Sequence, residues 1–264
     1  DVQRDRLAVG VLDGGHVERH GVGADAHAHA GAPRRDFAGE RGSQTFRFLH
    51  VSSGFPRKGI DVLLRAWGRA FRAEDPVSLV IKTFPNPHNE TARWLQELGD
   101  RFPGHATVEL IDEDLDDAAI EALYRGSDAL VAPSRGEGFG LPLAEAMLRG
   151  IPVITTRHGG ALDFCSDYNA WLVDFQYAYA DSHLGLFNSA WAEPDEADLA
   201  RALKEVHASA PADREARVER ARTLMEGTFT WAKVAAHTRT AVEMLDRLPA
   251  LSKLPRVVLV STWN

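Results

Sequence analysis

The residues most able to do chemistry in this chain lie between Pro133 and Met147, a stretch reading Pro-Ser-Arg-Gly-Glu-Gly-Phe-Gly-Leu-Pro-Leu-Ala-Glu-Ala-Met. An apolar strand pattern over 128–132 precedes it, and a helix opens near Pro142, with proline suited to a first turn whose N–H groups have no intrahelical partner. Gly150 stands where a C-terminal cap is wanted. Free backbone N–H groups at such a helix start, together with the positive end of the helix dipole, make an anion site. Gly136, Gly138 and Gly140 would let a ligand come close to the backbone.

Two carboxylates bracket the loop, Glu137 before the helix and Glu145 within it. A carboxylate aimed at a bound phosphate would repel it, whereas vicinal sugar hydroxyls donate well to carboxylates. The residues alone therefore fit one glutamate on a ribose and one on a sugar ring. They fit equally two carboxylates that merely favour the helix dipole. Lys58 precedes another helix, where a cation opposes the dipole, and this favours an anionic ligand as the reason for it.

The elements that must hold these residues alternate regularly. Strand patterns cover 46–51, 77–81, 107–111, 128–132, 151–155 and 171–173. Between them, helical spacing begins near Gly59 (Ile60, Leu63, Leu64, Trp67, Phe71), follows an Asn89 cap (Trp94, Leu95, Leu98, Phe102), and runs over 116–125 and 141–149. This order implies βαβ units and a parallel sheet with helices on both faces, a Rossmann-like α/β fold. Three further helices are expected over 195–208, 214–226 and 231–245. Residues 248–255 read as a linker and 256–264 as a new strand.

A formal net charge of −8 argues against a general nucleic-acid partner. No apolar run approaches the ~20 residues of a membrane span. The single cysteine, Cys165, reads as a buried apolar side chain. His16, His20, His27 and His29 offer nitrogen ligands, but without cysteine or a helical frame they read as linker residues. Phe84, Ile111 and Asp112 follow strand ends and fit either the border of a base pocket or core and loop roles.

The glycine-rich stretch resembles the signature of the family-4 retaining glycosyltransferases, which place two Rossmann-like domains across a cleft (the GT-B architecture). Pro56 to Asp61 (Pro-Arg-Lys-Gly-Ile-Asp), Asp128 to Ser134, Gly150 to Ile154, and Gly159-Gly160 with Asp163 agree in order. The resemblance implies that 46–245 is the C-terminal, donor-binding domain, holding a UDP- or GDP-linked hexose for transfer to a glycan or lipid acceptor. It implies that Lys58 meets the diphosphate, Glu137 the transferred sugar, and Glu145 the ribose, with Gly138, Phe139, Gly140 and Leu141 offering N–H groups. The family often has an arginine five residues before the lysine; Ser53 stands there instead, with Lys82 the preferred replacement and Arg57 the nearest other cation. No cofactor and no catalytic metal are expected.

Residues 1–45 then read as the end of a preceding domain and its connection, with His20 to Asp25 as the crossover loop. Residues 246–264 read as a linker and the first strand of a further domain. The acceptor site would lie in a domain outside this chain, and the location would be cytoplasmic, with peripheral membrane association of the full protein through other parts. Two rival readings share the same pocket: a nucleotide-sugar 2-epimerase and a non-catalytic nucleotide-sugar-binding module.

Overall fold

The computed structural model describes residues 45–247, apart from 182–184 and 186–187. Six parallel strands form one sheet in the order β3-β2-β1-β4-β5-β6. They are β1 (Phe46–Val51), β2 (Val77–Thr83), β3 (Thr107–Asp112), β4 (Ala129–Ala132), β5 (Val153–Thr156) and β6 (Trp171–Val173). The α/β Rossmann-like class read from the alternation is the fold observed, and the central strands are apolar because both faces are covered.

Successive residues of β1 serve opposite faces. Phe48 joins a core with Leu63 and Trp67 of α1 (Ile60–Ala70), Trp94 and Leu98 of α2 (Thr91–Arg101), and Leu199 and Leu203 of α5 (Glu196–Ala208). Leu49 joins the other core, with Leu123 of α3 (Asp117–Arg125), Met147 of α4 (Leu141–Leu148) and Met225 of α6 (Pro211–Thr228). Cys165 is buried in that second core, as its type suggested, and burial pushes its thiol up to about 12.

Helix starts follow local chemistry. Asp116 caps α3 by accepting from the Ala119 N–H at 2.8 Å, and Asp195 caps α5 by accepting from Asp198 N–H at 2.8 Å. Asn89 lies one residue before the cap position of α2, yet its side-chain oxygen still accepts from Thr91 N–H at 3.1 Å. The last helix, α7 (Trp231–Asp246), lies almost wholly on the surface.

Between β6 and α5 the chain makes an antiparallel hairpin, β7 (Phe175–Tyr179) and β8 (Ala190–Pro194), that the sequence reading passed over. Its signal was present: Phe175, Tyr177 and Tyr179 alternate with Gln176 and Ala178, the period of a half-covered strand. The segments 1–44 and 248–264 lie outside the described residues. With them go His16, His20, His27 and His29, the crossover loop at His20 to Asp25, and the strand expected over 256–264. Among the described residues no helix is long and apolar enough to cross a membrane.

Candidate functional site

Strand order reverses between β1 and β4. From β1 the chain leaves towards α1 on one face, and from β4 towards α4 on the other. Loops that part in this way open a crevice at the carboxyl ends of the strands, the usual ligand position in open α/β sheets. Lys58 ends the first of these loops and Glu137 stands in the second.

The structure brings the two together. Lys58, closing the 3-10 turn Pro56–Lys58, donates from Nζ to Glu137 Oε2 at 2.6 Å, and the Ser134 hydroxyl lies 3.4 Å from the same oxygen. Gly59 follows with φ of 72°, and a Cβ there would stand 2.1 Å from the Pro133 carbonyl oxygen, so the turn requires glycine. Arg135 N–H donates to the Arg57 carbonyl at 2.8 Å, and the Arg57 guanidinium donates to the Gly136 carbonyl at 3.3 Å. Burial lowers the Lys58 pKa below the usual lysine value; the charge and hydrogen bond of Glu137 offset part of this, and Arg57 adds to the lowering.

Gly140, with φ of 90°, precedes α4, which has no side-chain cap. Proline falls at its second residue, Pro142, rather than its first. Among the described residues none accepts a hydrogen bond from the backbone N–H of Gly138, Phe139, Gly140 or Leu141. The Gly159–Gly160 pair backs this loop: Gly160 N–H donates to the Glu137 carbonyl at 3.1 Å, and a Cβ on Gly160 would fall 1.7 Å from the Gly138 carbonyl oxygen. Gly136 and Gly138 differ, because a Cβ on either would meet nothing within 4 Å and neither has a positive φ. Nothing in the packing of the described residues calls for glycine at those two positions.

Glu145 accepts from the Tyr124 hydroxyl at 2.9 Å. Burial and the neighbouring Glu145 carboxylate push the Tyr124 pKa up, so the phenol keeps its proton. Periodicity gives Tyr124 only a place in a helix. His50 likewise shows in the sequence only as a strand residue, yet it lies fully buried. Its Nδ1 lies 2.8 Å from the Val131 carbonyl and must donate to it. Its Nε2, 2.8 Å from Ser52 Oγ, therefore accepts. Ser52 Oγ in turn accepts from Gly54 N–H at 3.3 Å. Desolvation holds the His50 pKa at about 4, against the Val131 hydrogen bond and with help from the Lys58 charge.

Lys82, the penultimate residue of β2, pairs with Val51 and is buried, with Nζ donating to the Thr83 carbonyl at 2.5 Å. Desolvation lowers its pKa, partly offset by Asp114, Asp112 and Glu113. Ser53 Oγ is buried without a partner among the described residues. Ile111 is core, Phe84 is partly exposed, and Asp112 meets Asn89 Nδ2 at 3.3 Å. Among the described residues no three His, Cys, Asp or Glu side chains group as metal ligands.

A family model described as "Family 4 Glycosyltransferase in conflict systems" matches residues 5–237. The chain belongs to the family-4 glycosyltransferases. It is 36% identical over 109 residues to an MMP alpha-(1->4)-mannosyltransferase from Mycolicibacterium hassiacum, a match covering 41% of this chain and 25% of that protein. It is 27% identical over 238 residues to the D-inositol 3-phosphate glycosyltransferase of Corynebacterium glutamicum, covering 89% of this chain and 51% of that one. In fold it is similar to a sucrose-phosphate synthase from Thermosynechococcus elongatus, with a TM-score of 0.59 and 22% identity over 76% of this chain and 46% of that chain. It is also similar to Anabaena Alr3699/HepE in complex with UDP and glucose, with a TM-score of 0.57 and 20% identity over 78% of this chain and 49% of that chain. This member of the family thus spans about half or less of the length of the relatives it matches.

Proposed function

We propose that this chain is the donor-binding part of a retaining glycosyltransferase that moves a hexose from a UDP- or GDP-linked donor to a glycan or lipid acceptor. The observation that carries the proposal is the Lys58–Glu137 pair at the switch point, beside the uncapped start of α4. In this reading the pair parts when donor enters: Lys58 turns to the diphosphate and Glu137 accepts from sugar hydroxyls. The unpartnered N–H groups of Gly138, Phe139, Gly140 and Leu141 receive phosphate and sugar oxygens, which explains two glycines that packing does not require. Glu145 accepts from the ribose hydroxyls through the oxygen that Tyr124 leaves free.

Cleavage of the glycosidic bond to phosphate leaves an oxocarbenium-like sugar and a growing negative charge on the departing diphosphate. Lys58 and the positive end of α4 stabilise that charge without reorganising. Glu137 holds the sugar and does not attack it. Lys82, next to β1, is the proposed second cation in place of the arginine that the family often has at the Ser53 position. The reacting end of the acceptor is positioned by a part of the enzyme outside this chain, and no metal enters this scheme.

Calorimetric titration with UDP and GDP tests the reading. Lys58→Ala should weaken the preferred nucleotide by about 1.5–3 kcal/mol, the range for a charged hydrogen bond. Unchanged affinity for both nucleotides in that variant removes Lys58 from the site.

A further inference from the structure

Pro56, at the start of the turn that Lys58 closes, lines a separate cavity of about 370 Å³ to which Lys58, Glu137, Glu145 and the glycine loop contribute nothing. Two of its walls are arginine–tryptophan stacks. The Arg135 guanidinium carbon lies 4.6 Å from the ring centre of Trp191 on β8, and that of Arg93 lies 5.9 Å from the ring centre of Trp94 on α2. Carboxylates already hold both guanidinium groups. Arg135 is bidentate to Asp61 at 2.7 Å and bonded to Glu193 at 2.6 and 2.7 Å, while Arg93 meets Glu97 at 2.7 Å and also Glu90. Asp61, Glu90 and Asp181 line the cavity together with the two arginines.

Each ligand class can be weighed against that lining. An anion would face three carboxylates, and the guanidinium groups already have partners. A cation would face two guanidinium groups. A purely apolar ligand would desolvate all of these groups and return no hydrogen bond, which is costly. A neutral polyhydroxylated ring fits best: its hydroxyls donate to carboxylates and accept from the N–H groups that Arg93 has to spare, and its C–H surface lies against the half-buried Trp191 indole. The volume stands at the small end of the ~300–1,000 Å³ of small-molecule sites.

We infer that this cavity binds a single neutral sugar unit, at a site distinct from the donor crevice. That the sugar belongs to the acceptor glycan rests on the glycosyltransferase reading above; the binding itself does not. Its place, bordered by Pro56 of the turn that Lys58 closes, lets a glycan be held by the same domain that holds the donor.

The test follows the indole N–H resonances of Trp94 and Trp191 in the 264-residue chain titrated separately with glucose, mannose, N-acetylglucosamine and maltose. Sulfate and indole serve as the anionic and apolar probes. At least one saccharide should shift both resonances saturably at millimolar concentration, and sulfate and indole should not. Trp191→Ala should weaken that saccharide about tenfold or more, equivalent to ~1.4 kcal/mol. Asp181 is exposed, so Asp181→Asn offers a second reading should the tryptophan variant fail to fold, and it too should weaken the saccharide. No saccharide response, a response to sulfate or indole instead, or one that both variants leave intact overturns the proposal. UDP titrated into the same sample and read at the amides of Gly138 and Gly140 reports on the donor crevice independently.

Discussion

Lys58 and Arg135 stand on the same rim of the sheet, one on each of the loops that part at the switch point, and they are held in opposite ways. Arg135 is 5% exposed and saturated: two carboxylates take its guanidinium from both sides, the Pro56 carbonyl accepts from it, and Trp191 stacks on it. Lys58 has one carboxylate partner, and the pair keeps 14% and 19% exposure. A cation whose donors are all taken holds elements together. A cation with donors to spare, at the mouth of a crevice, can change partner. Both residues lie in segments that resemble the family's, and the geometry separates a saturated brace from a cation with donors to spare.

The largest effect should come from the brace. Arg135→Met takes the guanidinium from Glu193, leaves Asp61 with Arg65 alone, and unlocks the hairpin from α1. Burial disfavours the charge on Asp61, yet the hydrogen bonds and charges of Arg135 and Arg65 more than offset this and hold its pKa below the usual value. Breaking a buried pair by removing one partner costs about 3–5 kcal/mol, so chemical denaturation should show a loss of that order. Lys58→Ala should cost less stability than that while losing nucleotide affinity, because it frees only one carboxylate, Glu137, which keeps the Ser134 hydroxyl beside it. Equal stability losses in the two variants would erase the distinction between brace and working cation.

A second way to sharpen the contrast uses the histidine beneath the Lys58 loop. His50 is neutral in the folded protein, with its pKa at about 4 against 6.5 when exposed. The unfolded chain therefore binds the extra proton first, and stability rises with pH across that window. It is fully present above 6.5 and lost as pH falls towards 4, by about 3 kcal/mol in all. His50→Gln should flatten the stability slope between pH 6.5 and 4, measured by denaturation at several pH values. An unchanged slope assigns the acid sensitivity to other groups. His50 meets Ser52, whose hydroxyl oxygen accepts from Gly54 N–H, and this joins the imidazole to the loop that carries Lys58.

What could be read from the sequence follows the range of the interactions. The six strands and the helices between them are set by periodicity and caps within a dozen residues, and all six parallel strands stand where the apolar runs put them. The Lys58–Glu137 meeting spans 79 positions, yet family likeness placed both residues at one site before any distance was known. The brace was not legible: Arg135 was quoted in the signature, but its partners Asp61 and Glu193 lie 74 and 58 positions away. The hairpin escaped for a different reason. Its alternation is plain, but β7 follows β6 after only Asp174, so no turn signal sets it apart from the strand before it. His50 looked like one polar residue in an apolar strand, and only its two ring contacts show why neutral imidazole is stable there.

The smallest effect should separate the two glutamates. Glu137 is held by a cation that can leave, whereas Glu145 is held by the Tyr124 phenol, which stays protonated and sits under the Arg149 guanidinium at 4.6 Å. Tyr124 lies on α3 and Glu145 on α4, so the bond aims the carboxylate from a rigid neighbour. Tyr124→Phe removes the hydroxyl and keeps the ring, at a cost near ~1.5 kcal/mol, the low end for a hydrogen bond to a charged group. If Glu145 serves the ribose, the loss of aim should weaken UDP and UDP-sugar by the same few-fold factor, because both carry that ribose. Glu137→Gln should instead spare UDP and reduce only the additional affinity conferred by the sugar. Paired calorimetric titrations on the two variants decide it. Should Tyr124→Phe weaken the sugar nucleotide and leave UDP untouched, then Glu145 serves the sugar ring, and the roles of the two carboxylates must be exchanged.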